Sequence, residues 1–284
     1  MKEFIVKENG ELIKTILKQL PNLNFNVISK TLRKKDVKVN DKRVNKNIEV
    51  LKGDNVKVYV SDEIEQPQLK IVFEDDNVLI VSKPTGIEVV GNDNDLVNLL
   101  SLKGKSVIAC HRIDVNTSGL VLFAKNKRAE EVILKAFKNK TIKKYYLAWV
   151  KGKFNKKSDT LNAHLLKDAN NSQVKILKTP TSESKPITTI YTVLEEYKTT
   201  TKILVQIPTG RTHQIRAHLS YVGHPIVGDE KYGDKLINKT FALKKQCLTA
   251  IKLELNFGNS FLSYLNGKQF ETTCPWEKFV SKDM

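Results

Sequence analysis

The sequence predicts an α+β protein: a small helix-helix-sheet unit, then a larger domain whose mixed, mostly antiparallel β-sheet is flanked by helices. Three observations lead there. Near the start, helical apolar spacing in ELIKTILKQL gives way to strand-like alternation in VKVNDKRV and LKGDNVKVYV. Beyond residue 68, strand-like runs outnumber helical ones and often follow one another directly, which favours antiparallel pairing over a doubly wound sheet. The length of 284 residues, at about 150 per domain, leaves room for two bodies.

Each element follows from its pattern. Leu12, Ile13, Ile16, Leu17 and Leu20 recur at helical spacing, and Val27, Ile28 and Leu32 resume it after Pro21 breaks the first helix. Val37, Val39 and Val44 alternate around Asn40-Asp41, and Gly53-Asp54 opens the next alternating run. Residues 61–68, SDEIEQPQ, are polar, acidic and interrupted by proline, so they read as a linker with the boundary near residue 66. The expected domains are 1–66 and 67–284. In the second, IVFEDDNVLIVSKPTG reads as strand, turn, strand, and RAEEVILKAFKN as an amphipathic helix presenting Val132, Ile133, Ala136 and Phe137. YYLAWV, TTIYTVLEEY, TKILVQIPTG and LTAIKLELNF read as further strands.

Composition narrows the function classes. With 40% hydrophobic and 28% charged residues the chain is an ordinary folded protein, and its net charge of +17 attracts polyanions, making nucleic acid the leading partner. Residues 125–157 carry 12 Lys or Arg against two Glu, interleaved with Tyr145, Tyr146 and Trp149. Cations for phosphates thus alternate with rings able to stack on bases; the bland alternative is a solvated helix face beside a strand whose aromatics are core. Cys110, Cys247 and Cys274 are scattered without a C-x-x-C pair, which argues for a reducing cytoplasm and against a zinc knuckle or disulfide framework. MKEFIVKENG lacks a signal-peptide core, and no run approaches the roughly 20 apolar residues of a membrane span. No apolar heptad demands a partner chain, so a monomer is expected. The absence of G-x-G-x-x-G, of a phosphate-binding P-loop and of internal repeats removes the common nucleotide-binding readings.

Two stretches carry the chemistry. ACHRIDVNTSGLVLFAKN sets His111, Arg112 and Asp114 within four positions of one another, ahead of Thr117-Ser118-Gly119 and an apolar strand, the arrangement of a cleft edge. PTGRTHQIRAHLSYVGHPIVGDEKYG supplies Arg211, Arg216, His213, His218 and His224, with a turn leading into a helix whose N-terminal amides could receive phosphate. The histidine spacings of five and six do not form the ligand face of a zincin helix, and no carboxylate lies between them, so no metal is expected.

Together these stretches resemble the pseudouridine synthases that modify large-subunit ribosomal RNA and some transfer RNAs. The signature H-R-[LI]-D-x-x-T-S-G, an apolar run and A-K is met by His111, Arg112, Ile113, Asp114, Thr117, Ser118, Gly119, Ala124 and Lys125. K-x-Y-x-A is met by Lys144, Tyr146 and Ala148, T-G-R-T-H-Q-I-R-x-H by Thr209 to Arg216 with His218, and K-P-x-G by Lys83, Pro84 and Gly86. The trailing G-H-P-[IL]-x-G-D-x-x-Y-G is met by Gly223, His224, Pro225, Gly228, Asp229, Tyr232 and Gly233. The likeness spans about residues 69–280. Where the family continues toward a His-Pro pair this chain reads GIEVVGND, and residues 164–186 match no family element. Residues 11–60 separately resemble the alpha-L RNA-binding module of ribosomal S-four type, through Val37, Val39, Asn40, Val44, Gly53 and Asp54.

The resemblance implies a cofactor-free isomerisation in which the glycosidic bond breaks, the uracil turns and carbon 5 is joined to the ribose. It assigns the essential carboxylate to Asp114, removal of the carbon-5 proton to Tyr146, and the cation orienting Asp114 to Arg211. The target uridine must be flipped out, and Arg112 is the residue implied to fill the gap. His111 is implied to order the loop at the RNA, with Lys144, His213 and Arg216 as further RNA contacts. Lys30, Arg33, Lys34, Lys35 and Lys38 are implied to lie against the RNA backbone. Ribosomal RNA is the expected partner and transfer RNA the next candidate. The competing reading is a non-catalytic RNA-binding or ribosome-assembly factor on the same fold; a nuclease or glycosidase lacks a partner carboxylate for Asp114.

Overall fold

The computed structural model describes residues 1–20, 23, 25–60, 69–91, 95–168, 173–280 and 283. The expected linker and boundary at residue 66 lie outside the described residues, as do residues 92 and 93 of the divergent GIEVVGND stretch. The chain divides into two compact units, one formed mainly by residues up to Val60 and the other by the bulk of the chain from Leu69 onward.

The first unit runs β1 (Lys2–Ile5), β2 (Gly10–Glu11), α1 (Leu12–Gln19), α2 (Phe25–Arg33), β3 (Val37–Val39), β4 (Lys42–Val44), β5 (Glu49–Val50) and β6 (Asn55–Val58). Leu12, Ile13, Ile16, Ile28 and Leu32 bury one face of each helix against Val37, Val39, Val56 and Val58. The hairpin turns at Asn40 and Asp41, whose φ of 49° and 63° are what a tight two-residue β-turn requires. β1 was not expected, yet it pairs with β6 at the edge of a four-stranded antiparallel sheet ordered β1-β6-β3-β4. Its four-residue KEFI is too short and too exposed to show alternation.

The second unit holds β7 (Lys70–Glu74), β8 (Val78–Lys83), α3 (Leu96–Leu102), β9 (Ile108–Ala109), β10 (Ser118–Ala124), α4 (Lys127–Lys138), β11 (Lys143–Lys151), β12 (Ser158–Asp168) and β13 (Gln173–Leu177). There follow β14 (Lys185–Glu196), β15 (Thr200–Gln206), α5 (Gln214–Tyr221), α6 (Lys235–Thr240), β16 (Leu248–Glu254), β17 (Gln269–Glu271) and α7 (Glu277–Val280). One sheet runs β13-β12-β14-β15-β11-β16-β10-β8-β7, with β17 on β16 and β9 on β10. β10 and β16 pair in parallel and every other described pairing is antiparallel, the mixed sheet that the strand succession predicts.

The central strands are covered on both faces, which explains their unbroken apolar runs. In β10, Val121 and Phe123 enter a core shared with α3 and α5, while Leu120, Leu122 and Ala124 enter a second core under α4. Asn126 caps α4 by accepting from the Ala129 amide, and Ala129, Ile133 and Ala136 form its buried face. Gly119 permits the parallel pairing with β16: its φ is 111°, and a Cβ there would stand 2.2 Å from the Ala250 carbonyl oxygen.

The lysine-rich segment 125–157 departs from the expected stacking surface. Trp149 is fully buried and bonds Thr200 through its indole nitrogen, and Tyr146 is buried, so these rings belong to the interior. Lys125, Lys127, Lys143, Lys151, Lys156 and Lys157 pair with Glu74, Glu130, Glu254, Asp234, Asp159 and Glu196. Strand β11 sits between β15 and β16; its Trp149 packs into the core, while Tyr146 borders a cavity.

Candidate active site

Three elements converge on one cavity of about 290 Å³: the loop between β9 and β10, the start of β11, and the turn into α5. Cys110 to Thr117 must bridge from the short β9 to the buried β10, and its path is held from below. Lys83, at the end of β8, is 1% exposed and donates through Nζ to the carbonyls of Pro84, Ile87 and Val115 at 2.9, 2.7 and 3.0 Å. Burial pulls this amine down to about 7, the Asp114 carboxylate opposes that, and the three acceptors use every proton of the ammonium form. The Gly86 amide bonds the Val115 carbonyl as well, and Thr117 N–H closes a turn onto the Asp114 carbonyl. Asp114 is thus delivered to the cavity on a clamped backbone.

The cation on Asp114 is Arg216, not Arg211. Arg216 Nη1 donates to Asp114 Oδ2 at 3.0 Å, while Nε and Nη2 grip Asp229 Oδ2 and Oδ1 at 2.7 and 2.9 Å. Asp229 has no exposed side-chain surface and also accepts from the Lys231 and Tyr232 amides at 2.9 and 3.0 Å. Arg216 therefore cannot be the RNA contact expected of it, since both ends of its guanidinium are occupied inside the protein. Despite burial, its carboxylate partners hold its pKa above the ordinary value. The physical reason lies in helical phase: Arg216 falls on the first turn of α5 and points inward, whereas Arg211 precedes the helix and is exposed at the cavity rim.

The turn into α5 is built by Gln214. Its Oε1 accepts from the Arg211 amide and Thr209 Oγ1, and its Nε2 donates to the Thr188 carbonyl at 2.9 Å, stitching the turn to β14. This leaves His213 at the helix start with φ of 53°, a left-handed conformation for a residue with a side chain. Its Nδ1 lies 3.0 Å from the Tyr232 hydroxyl and its Nε2 lies 3.9 Å from Asp114 Oδ2. Burial holds the imidazole below its ordinary pKa, against the Asp114 charge. His218 and His224 go elsewhere, bonding Thr189 Oγ1 and the Lys151 carbonyl.

Tyr146 stands on β11 between β15 and β16, just past a register shift, and lines the cavity. Burial first, and then the nearby Asp114 charge, push its hydroxyl well above the usual phenol value, so the phenol is protonated at neutral pH. Lys144, also on the wall, rests over the Phe137 ring at 5.6 Å, and desolvation lowers its pKa. Arg112 is exposed at the rim, with no ion pair among the described residues.

His111 turns its Nε2 onto the Leu122 amide at 2.9 Å and packs against Phe137. Burial lowers its pKa to about 3, so the imidazole is neutral and its Nε2 is engaged inside the protein rather than offered to RNA. In the first unit Lys30, Arg33, Lys34 and Lys35 are exposed around the end of α2, and Lys38 sits 5.6 Å over the Tyr59 ring. Lys34 and Lys35 lie in the turn after the helix rather than on it.

Asp229, Tyr232 and Lys83 were present in the sequence motifs without a role. A buried arginine needs a carboxylate, and the D-x-x-Y spacing after G-H-P was the available signal for it. The assembled site is one carboxylate, Asp114, whose two protein contacts both fall on Oδ2, leaving Oδ1 without a hydrogen bond among the described residues. Around it stand four cations, Arg112, Lys144, Arg211 and Arg216, and a protonated phenol. Such a cavity suits an anionic substrate attacked or deprotonated by a single carboxylate.

Comparison with known proteins agrees with that chemistry. The family model for RNA pseudouridylate synthase matches residues 77–221, about half of the chain, from β8 through α5. The chain is 33% identical over 299 residues to ribosomal large subunit pseudouridine synthase C of Vibrio cholerae, covering 96% of this chain and 92% of that protein. The Escherichia coli protein of the same name is 33% identical over 249 residues, covering 80% and 78%. Among solved structures, human RNA pseudouridylate synthase domain containing 1 superposes with a TM-score of 0.60 at 26% identity, covering 76% of this chain and 94% of that one. With Asp114, Tyr146 and Arg216 all lying within the matched region, the chain belongs to the RNA pseudouridylate synthase family, isomerases that convert uridine in RNA to pseudouridine.

Proposed function

We propose that this isomerase acts on uridines of large-subunit ribosomal RNA and that Asp114 is its essential residue. The observation that carries the reading is the buried chain Asp229–Arg216–Asp114, which holds one carboxylate in a cavity otherwise lined with cations. The substrate class comes from the names of the relatives that match most of the chain. The rearrangement conserves every atom and electron of the uridine, so neither a redox group nor an energy carrier is required.

In this reading Arg112, exposed at the rim with a planar guanidinium, takes the place of the flipped base, and Lys144 and Arg211 meet phosphates. Arg216 fixes Oδ2, so that Oδ1 addresses the nucleoside. Tyr146 lies against the same cavity and is the residue assigned to the carbon-5 proton. The first unit acts as an RNA-binding module of S-four type, joined to the catalytic domain through residues 61–68. Its exposed Lys30, Arg33, Lys34 and Lys35, with the half-buried Lys38, supply backbone affinity. The protein works in the cytoplasm as a monomer.

The test is to incubate the purified protein, and separately Asp114→Asn, with unmodified total RNA and no added cofactor, and to map pseudouridine at nucleotide resolution. New pseudouridine in large-subunit ribosomal RNA with the wild type alone is the expected result. Product only in transfer RNA would overturn the substrate, and turnover by Asp114→Asn would overturn the role of the carboxylate. Salt-sensitive binding without product would instead mark a non-catalytic binder.

A further inference from the structure

The structure assigns His213 a place in the reaction that differs from RNA contact. We propose that His213 is a positioning residue whose Nε2–H, fixed by Tyr232, is the second donor for Asp114 Oδ2 and completes its alignment when the flipped nucleotide is seated. The inference rests on the proposed role of Asp114 and deepens it.

The tautomer follows from hydrogen-bond bookkeeping. The Tyr232 hydroxyl accepts from the Val174 amide of β13 at 2.9 Å, and its other neighbour is His213 Nδ1 at 3.0 Å. Among the described residues, the single hydroxyl proton then has one acceptor in reach, Nδ1, so Nδ1 accepts and the ring proton resides on Nε2. That nitrogen lies 3.9 Å from Oδ2, the oxygen already engaged by Arg216. The distance exceeds a hydrogen bond by less than 1 Å, a gap that a small movement around the reacting nucleotide would close.

Two further features fix the arrangement. His213 holds a left-handed backbone that a β-strand or helix residue would avoid, and Gln214 keeps it there through bonds to Thr209, Arg211 and Thr188. Tyr232 also lies under the Arg216 guanidinium, 5.2 Å from ring centroid to Cζ, so one tyrosine supports both donors to Asp114. Its link to Val174 makes the hairpin β12–β13 a structural support of the active site.

The experiment measures single-turnover pseudouridine formation and RNA affinity on an unmodified large-subunit ribosomal RNA transcript, using the full chain. His213→Leu is expected to slow the rate roughly tenfold with affinity changed less than about twofold, and His213→Gln, whose amide nitrogen replaces Nε2–H, to restore most of the rate. Tyr232→Phe is expected to slow the wild type several-fold but to have little effect in the His213→Leu background, because the two act as a unit. Nitrogen-15 NMR of the RNA-free protein at neutral pH should show His213 as the Nε2–H tautomer. An Nδ1–H tautomer, additive losses, or weakened affinity at unchanged rate would each overturn the proposal. Absence of wild-type product would instead fail the underlying reading, while leaving the tautomer measurable.

Discussion

Arg216 Nη1 donates to Asp114 Oδ2 at 3.0 Å across 102 residues of sequence, joining a helix to a loop on the far side of the cavity. Because the rest of the guanidinium is clamped by Asp229, the ion pair has one geometry, and Asp114 inherits it. This bidentate buried fork separates the two arginines of the T-G-R-T-H-Q-I-R stretch into different kinds of residue.

Replacing Arg216 with Leu strands Asp229 in the interior and is expected to cost about 3–5 kcal/mol of stability as well as abolishing turnover. Arg211→Gln, at an exposed position, should stay within about 0.5 kcal/mol of wild type by urea denaturation. Its effect should appear in RNA affinity. Loss of stability in Arg211→Gln comparable to that of Arg216→Leu would reverse the assignment.

Gly119→Ala tests the parallel crossing that brings β10 beside β16. With φ of 111° and a backbone oxygen 2.2 Å from the new Cβ, the substitution should cost more than about 2 kcal/mol. The measurement is the shift in urea midpoint, and an unchanged midpoint would show that the crossing relaxes freely.

Acid stability should report the buried histidines. Burial lowers the folded pKa of His111 to about 3 and of His218 to about 4, from an ordinary value of 6.5. Between those values the unfolded chain binds the additional protons, so their contribution is fully present above pH 6.5 and is lost as pH falls toward 4 and below. Each contributes a slope of up to about 1.4 kcal/mol per pH unit. Thermal melts from pH 7 to pH 4 should fall steeply for the wild type and less so for His111→Gln, whose side chain can still accept from Leu122.

The exposed cluster at the end of α2 offers a test of the first unit. Combining Lys30→Gln, Arg33→Gln and Lys34→Gln should weaken RNA binding across sequences and reduce the salt slope by up to about three counterions, leaving the unit folded. A salt slope identical to wild type would place the RNA contacts of this unit elsewhere.

Much of this was legible in one dimension. Helical and alternating apolar spacings located α1, α2, α4, β3, β8, β11, β14, β15 and β16, because burial on a helix face or a pleat imposes its own period. The H-R-I-D motif marked Asp114 because short-range spacing is preserved when a loop is clamped at both ends. Charge density was an incomplete guide where pairing was long-range. The lysines of 125–157 looked like an RNA surface, yet Glu74, Asp234 and Glu254 meet three of them from distant elements.

Local pattern therefore determined the α+β class and most of the residues that reach the cavity, since both depend on interactions within a turn or a strand. The partners of those residues depended on which backbone segments the sheet and α5 bring together. Arg216 rather than Arg211 orients Asp114 because helical phase turns one guanidinium inward and leaves the other outside. Trp149 became core rather than ligand surface because its face of β11 packs against Phe241 and the main core. A charged or aromatic side chain carries the same chemistry in either setting; burial and the groups opposite it decide whether that chemistry holds the fold or meets the substrate.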